Sequence, residues 1–337
     1  MISLQTAGVA GRARLAIVIG AGLGMSAFAT TSPAQGAGDY PNRPVTVVVA
    51  FAAGGPAEFE SRLYTQKMSQ NLGKPFLLDF RPGNSGITGT TFVARSAPDG
   101  YTLCPGQGSF TVSAATIKNI TYDPVKDFAP IILMSKRSML LVTHPDMPFK
   151  SGREYIAHVK ARPGQLNFAT LGSGSVFHLA GAWLHGLTGT SVTFVPYKGV
   201  TPSAVDLMGG RVQATLMTPE IGLPLVKSGK LRVIATTGTE RHPMLQDVPT
   251  LIEEGVAGYE YLGWTGFFAP AGTPPAIVSK LNAEFTKAGK SPDVAQKMAD
   301  SGGAVMVLST PDYLGKFIAN EVGRWKRVVQ DNNIVVE

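Results

Sequence analysis

The chain has 337 residues, of which 44% are hydrophobic and 16% charged, with a formal net charge of +7. That length exceeds one small core and suffices for two domains, and the apolar share predicts a packed globular fold rather than a disordered chain. The lysines and arginines are scattered singly, with no basic stripe interleaved with aromatics, which argues against nucleic acid and leaves a mild attraction for anions.

Residues 1–29 read as a secretory signal peptide. Arg12 and Arg14 come without an acid, the apolar "LAIVIGAGLGMSAF" follows, and Ala27-Phe28-Ala29 is a small-x-small cleavage site, with Ala34-Gln35-Gly36 as a second candidate. The apolar run is short for a membrane span. Gly20-Ala21-Gly22 imitates the start of a dinucleotide fingerprint, but the third glycine would fall on Met25 and no strand-turn-helix unit surrounds it. The reading predicts export and a soluble mature protein. With Cys104 as the sole cysteine there is no internal disulfide, so a large core must hold the chain together; Cys104 itself is expected as a buried thiol acting as a small hydrophobe.

From Val45 onward strand-like and helix-like segments alternate. "VTVVVAF" is a continuous β-branched run, the pattern of a strand buried on both faces. Phe59, Leu63, Met68 and Leu72 follow at near-helical spacing, with Gly73 as C-cap. "FLLDF" and "GYTLCPG" are the next strands, separated by a loop and a short helix in "RPGNSGITGTTFVARSA". This order predicts a parallel sheet with helices on both faces. "FAPIILMSKRSMLLVTHP" holds two apolar runs with no glycine or proline between them, and reads as one long or bent strand passing from one domain to another.

A second α/β pattern then begins. "REYIAHVKAR" is a helix, "LNFATL" a strand and "GSGS" a loop. Val176, Leu179, Ala180, Trp183, Leu184 and Leu187 form an amphipathic helical stripe. "VTFVPYKG", "RVQATLM" and "LRVIATT" are further strands, and "TPSAVDLMGG" is a helix with Thr201 as expected N-cap and Pro202 in its first turn. "YEYLGWTGFFAPAGTPP" is a candidate return crossing. Helices are predicted from Pro275 to Lys287, Pro292 to Asp300 and Pro311 to Gln330, the last two opening with the capping pairs Ser291-Pro292 and Thr310-Pro311.

Two junctions share one design: "AFAAGGPAEFESRL" and "FATLGSGSVFHLAG" each end a strand and open a helix through glycines. Ligands of open α/β sheets bind at such strand ends, and a helix N-terminus offers free N–H donors with partial positive charge. Two such ends facing one cleft would suit a carboxylate or phosphate. Neither loop is a P-loop or a G-x-G-x-x-G fingerprint. The alternative is that the glycines merely make tight turns.

Catalytic patterns fail in turn. There is no G-x-S-x-G elbow and no H-E-x-x-H. His178 and His185 lie two turns apart on one helix, but spacing suggests no further metal ligand, so His178 is expected to pack or cap near the loop. Ser109, Ser173 and Ser175 sit in glycine-rich loops with nothing in the sequence to supply a base, which leaves a serine hydrolase as the poorer reading and hydroxyl donors to a bound ligand as the better one.

From about Tyr40 to the C-terminus the chain resembles the extracytoplasmic receptors of tripartite tricarboxylate transporters, the Bug family. The resemblance rests on the joint order of "YPNRPVTVVVAFAAGG", "RPGNSGITG", "APDGYTL", "YDPVKDFAPI", "RPGQLNFATLGSGSVFHLAG", "VPYKG", "DVPTLIEEGVAGYE" and "GFFAPAGTPPAIVSKLN". It implies an α/β, two-domain periplasmic-binding-protein fold, a type II-like clamshell in which each domain is a sheet flanked by helices. Domain 1 would comprise 39–137 and 264–337, and domain 2 would comprise 138–263. It implies a non-enzymatic receptor without cofactor or metal, which captures a small carboxylate and hands it to membrane permease subunits or a sensor protein; a neutral amide is the alternative ligand. The carboxylate would be held by backbone groups and water at Ala53, Gly54, Gly55, Pro56, Ala57 and Glu58, and at Thr170, Gly172, Ser173, Gly174 and Ser175. Asn84, Ser85, Gln107, Ser109, Tyr197, Lys198 and Gly199 would line the same cleft. Two departures from the family pattern stand out. Ala53 replaces a proline and Glu58 replaces an aspartate, so ligand size and orientation do not carry over from the family.

Overall fold

The computed structural model describes residues 38–51 and 56–334. The signal-peptide reading of 1–29 and the Ala53, Gly54 and Gly55 of the first junction lie outside them.

The first half supplies β1 (Val45–Val49), α1 (Pro56–Leu72), β2 (Phe76–Phe80), α2 (Ile87–Ala94), β3 (Thr102–Gly106), α3 (Gly108–Thr116), β4 (Phe128–Ser138), β5 (Leu140–Thr143), α4 (Gly152–Ala161) and β6 (Asn167–Thr170). The second supplies α5 (Val176–Thr188), β7 (Thr193–Pro196), α6 (Val200–Met208), β8 (Ala214–Met217), α7 (Pro219–Lys227), β9 (Arg232–Thr236), β10 (Leu262–Pro270), α8 (Pro275–Gly289), α9 (Pro292–Asp300), β11 (Val305–Met306) and α10 (Pro311–Asp331). The strands form two sheets, in the orders β11-β4-β10-β3-β1-β2 and β7-β6-β8-β5-β9.

Both sheets are mixed rather than purely parallel. β1 pairs in parallel with β2 and β3, but β10 runs antiparallel to β3 and β4. In the second sheet β6 is parallel to β7 and β8, whereas β5 is antiparallel to β8 and β9. The cause is the crossing: a chain that leaves the first sheet along β4 and returns along β10 must run in opposite directions on the two strands. They pair from Leu262 opposite Ser138 to Pro270 opposite Phe128. The apolar run expected as one strand is divided at Met139, with β4 in the first sheet and β5 in the second.

Successive residues of the central strands enter different cores, which is why their sequences are continuous apolar runs. Val47, Leu103 and Phe267 pack on one face with Tyr64 and Met68 of α1 and Leu281 and Phe285 of α8. Val48, Cys104 and Phe268 pack on the other with Phe110 of α3 and Leu314 and Ile318 of α10. In the second sheet Leu141 joins Leu179 and Leu184 of α5, while Leu140 and Val142 join Leu207 of α6 and Leu223 of α7. α10 is shared: its first half lies in a core of the first sheet, whereas Trp325, Val328 and Val329 pack in the second-sheet core with Leu179 and Tyr261.

Local expectations fare unevenly. Gly73 has φ 64° directly after α1, and the Thr310 hydroxyl accepts from Tyr313 N–H at 3.3 Å. Ser291 precedes α9 but its hydroxyl donates to Ala288 O instead of capping. α6 opens at Val200 after Gly199, whose φ of 133° makes it the boundary in place of Thr201. Leu187, at the end of the α5 stripe, is 48% exposed. α3, α7 and β11 carried no expectation.

Candidate functional site

A cavity of about 1050 Å³ lies among the strand ends and helix starts of both sheets. The first sheet contributes Phe51 after β1, Phe59 of α1, Asn84 and Ser85, and Gln107 to Ser109 at the β3–α3 junction. The second contributes Leu171 to Phe177 at the β6–α5 junction and Thr218 to Ile221 at the start of α7. The crossing strands supply Arg137 and Trp264.

Glycines set the spacing. A Cβ on Gly108 would come within 3.0 Å of Val176, and one on Gly174 within 3.3 Å of Thr116. The start of α3 can therefore lie against the start of α5, and the end of α3 against the loop before α5, because neither glycine carries a side chain. Gly172 and Gly174 adopt φ of 102° and 70°, a region costly for other residues. Asn84 and Ser85 also sit at positive φ, 47° and 54°, in a one-turn 3₁₀ helix over Asn84–Gly86. A Cβ on Gly86 would strike the Phe51 ring at 2.8 Å, so this turn is pressed against a cavity wall. Strained backbone of this kind collects where a surrounding structure holds it for use.

Hydrogen bonds fix the β6–α5 junction. Gly174 N–H donates to His178 Nδ1 at 3.0 Å, and His178 N–H donates to the Ser175 hydroxyl at 3.2 Å. Nδ1 is thus an acceptor, which requires the neutral ring; burial lowers the His178 pKa and favours that form. His185 is enclosed, with Tyr155 Oη at 3.2 Å from Nε2 and Thr190 Oγ1 at 2.7 Å from Nδ1, and burial pushes its pKa down to about 4. The two histidines serve the architecture separately.

Of the residues proposed from sequence, Asn84, Ser85, Gln107, Ser109, Gly172, Ser173, Gly174 and Ser175 are gathered on the cavity wall. Ala57 is buried at the start of α1. Glu58 accepts from Arg62 at 2.5 Å, an i,i+4 pair along α1. Thr170 is buried at the end of β6. Tyr197 donates to Asp206 at 2.7 Å, and Asp206 pairs with Arg211, so this tyrosine is tied to α6; Lys198 follows it and Gly199 is the boundary residue before that helix. Pro56 is the first residue of α1.

Sequence reasoning missed the wall around Arg137. This guanidinium is 5% exposed and is held between Glu60 of α1 and Glu220 of α7. Nη2 donates to Glu60 Oε1 and to the Ser135 hydroxyl at 3.1 Å, and Nη1 donates to Glu220 Oε1 at 2.7 Å. Glu60 also accepts from Ser135 Oγ at 2.8 Å and Thr265 Oγ1 at 2.9 Å. Burial opposes the charge on Arg137, but the two carboxylates outweigh it and raise its pKa.

The residues from 61 to 334 match the sequence profile of the tripartite tricarboxylate transporter family receptor. The chain belongs to this family. It is 34% identical over 320 residues to the protein BugT of Bordetella pertussis, covering 94% of this chain and 97% of that one. The fold is that of periplasmic binding proteins, two sheets with flanking helices. BugD superposes with a TM-score of 0.76 at 31% identity, over 88% of this chain and all of that one. A Rhodopseudomonas palustris protein solved with adipate superposes at 0.79 with 33% identity, over 89% of this chain and all of that one. MatC of Rhodopseudomonas palustris, with bound malate, superposes at 0.75 with 35% identity, over 86% of this chain and all of that one. These tricarboxylate-receptor relatives are solute-binding proteins, and the cavity here lies where the helix starts of both sheets converge.

Proposed function

We propose that this receptor is exported to the periplasm and captures a small carboxylate between two lobes, 39–137 with 264–337 and 138–263. It releases the ligand unchanged, as a monomer, to a tripartite permease or a sensor protein. The observation that carries the reading is the close approach of the α3 start at Gly108 to the α5 start at Val176, both on the wall of one cavity. Helix starts bring backbone donors and partial positive charge to a shared space, which favours an anion without a dedicated arginine. The relatives with adipate and malate support the ligand class. Asn84, Ser85, Gln107, Ser109 and the Gly172 to Ser175 loop are the proposed ligand contacts. The backbone of Ala53 to Glu58 remains proposed as the second loop, with Thr170, Tyr197, Lys198 and Gly199 as its neighbours.

A thermal-shift screen of the mature chain over monocarboxylates, dicarboxylates and amides tests this. A ligand at a hundredfold excess over its Kd stabilises by about 2.7 kcal/mol, a clear rise in melting temperature. The ligand should be recovered intact by mass spectrometry. Stabilisation by amides alone, or chemical conversion of the ligand, would overturn the reading.

A further inference from the structure

We propose that the Arg137 wall is a specificity subsite, one that accepts a hydrogen-bond-donating group at the far end of the ligand and rejects a second carboxylate. The inference rests on the carboxylate-receptor reading and adds the class of the ligand's other end.

Arg137 is the cation at this wall, and its two carboxylates already claim it. With Glu60 and Glu220 ionised the triad carries a net negative charge, and it is buried where screening by water is weak. A ligand carboxylate arriving here meets a guanidinium whose Nη1 and Nη2 already donate. It also meets Glu220, whose side chain is 25% exposed.

The unpaired atoms specify what is wanted instead. Glu220 gives Oε1 to Arg137, but its Oε2 has no hydrogen-bond partner among the described residues. The same holds for Thr218 Oγ1, two residues earlier, and for Arg137 Nε. Thr218, Glu220 and Arg137 all line the cavity. A buried polar atom without a partner is costly, so three of them along one wall call for a group that completes them. A carboxylate oxygen can only accept and a guanidinium N–H can only donate, so Glu220 Oε2 calls for a donor and Arg137 Nε for an acceptor; a neutral hydroxyl or carboxamide offers both, whereas a carboxylate offers only the second. Lys227 lines the cavity too, but at the opposite end of α7, about 10 Å along a helix from Glu220. Asp300, on the same cavity, adds a further acid.

The test is calorimetry on the mature chain with acids of equal length, from four to six carbons. Each set comprises the plain monocarboxylate, the ω-hydroxy acid, the ω-amide and the dicarboxylate. The hydroxy or amide acid should bind at least tenfold more tightly than the dicarboxylate, equivalent to about 1.4 kcal/mol. Glu220→Gln keeps the contact with Arg137 and removes the charge, and should narrow that ratio severalfold by improving the dicarboxylate. Equal affinities across the set, or preference for the dicarboxylate in the wild type, would overturn the subsite while leaving the receptor reading intact. Absence of binding by every acid, including the monocarboxylate, would overturn the receptor reading and this inference with it. Thermal melts of Glu220→Gln check folding, and Thr218→Val provides a second probe, with weakened hydroxy-acid binding expected and an unchanged dicarboxylate.

Discussion

The backbone N–H of Gly174 donates to Nδ1 of His178, which ties the glycine loop to the first turn of the helix it opens. The contact needs a neutral imidazole. His178→Leu removes the acceptor, and a lost hydrogen bond of about 1 kcal/mol would loosen the loop enough to weaken carboxylate binding roughly fivefold. The wild type should show a matching pH dependence. The folded-state pKa is lowered by burial, so the contact is present above the unfolded value near 6.5 and is lost as pH falls through the folded value. Affinity should therefore be flat from pH 8 to about 6.5 and decline in more acid solution. Titration calorimetry of both proteins over that range decides it. If His178→Leu binds like the wild type, the loop needs no such anchor.

Gly108 and Val176 set how closely the two helix starts approach. Gly108→Val places a branched side chain where a Cβ alone already meets Val176 at 3.0 Å. It should hold α3 away from α5, reduce affinity at least tenfold, and prevent the decrease in radius that a closing receptor shows with ligand in small-angle scattering. Gly164→Ala is the contrast. Gly164 lies at φ 74° with open space around it, so a Cβ there strains the backbone by about 1 kcal/mol without touching the cavity. It should lower the melting temperature and leave affinity unchanged. Normal closure by Gly108→Val would remove this pair from the mechanism.

The elements legible in the sequence are those whose pattern is local. "VTVVV" is a buried strand because both faces of its sheet are covered, and Leu179, Ala180 and Leu184 mark the buried face of α5 by spacing alone. α7 was missed although Thr218, Pro219 and Glu220 form an ordinary helix start; Gly222 and Pro224 inside it read as breakers. β4 and β5 merged because Met139 has no turn chemistry, and only pairing with different sheets divides them. The glycine turn between β6 and α5 was legible by the same local logic, with Gly172 and Gly174 at positive φ. The Arg137 wall was not: Glu60 and Glu220 lie 77 and 83 residues from it in sequence, and only the crossing of the chain brings them together.

His185 gives the fold an acid limit. Its pKa of about 4 lies below the unfolded value near 6.5, so the unfolded chain takes up the proton first. The contribution is fully present above about pH 6.5 and is lost as pH falls towards 4, up to about 3 kcal/mol. His185→Gln should be less stable at pH 8, where a well-packed ring is lost, and should show a shallower fall in melting temperature from pH 6.5 to 4. Parallel slopes in the two proteins would show that other groups govern acid unfolding.

Glu58 stands where relatives are expected to carry aspartate, and the structure directs it along its own helix. It lies in the first turn of α1, where a carboxylate meets the positive end of the helix dipole, and it pairs with Arg62 one turn on. An ionised Glu58 beside a ligand carboxylate would repel it by roughly 4 kcal/mol at 4 Å and an effective dielectric near 20. Orientation towards Arg62 avoids that cost. Glu58→Gln keeps the shape and removes the charge. The expected loss is about 1 kcal/mol of stability from the dipole and the half-exposed pair, seen as a fall of a few degrees in melting temperature. Carboxylate affinity should stay within about twofold from pH 5 to 8, since a charge spent inside the helix contributes little to the ligand. Tighter binding of anions by the variant, or loss of a pH dependence near the acid's own pKa, would place Glu58 against the ligand instead, and the longer side chain would then be a determinant of ligand size.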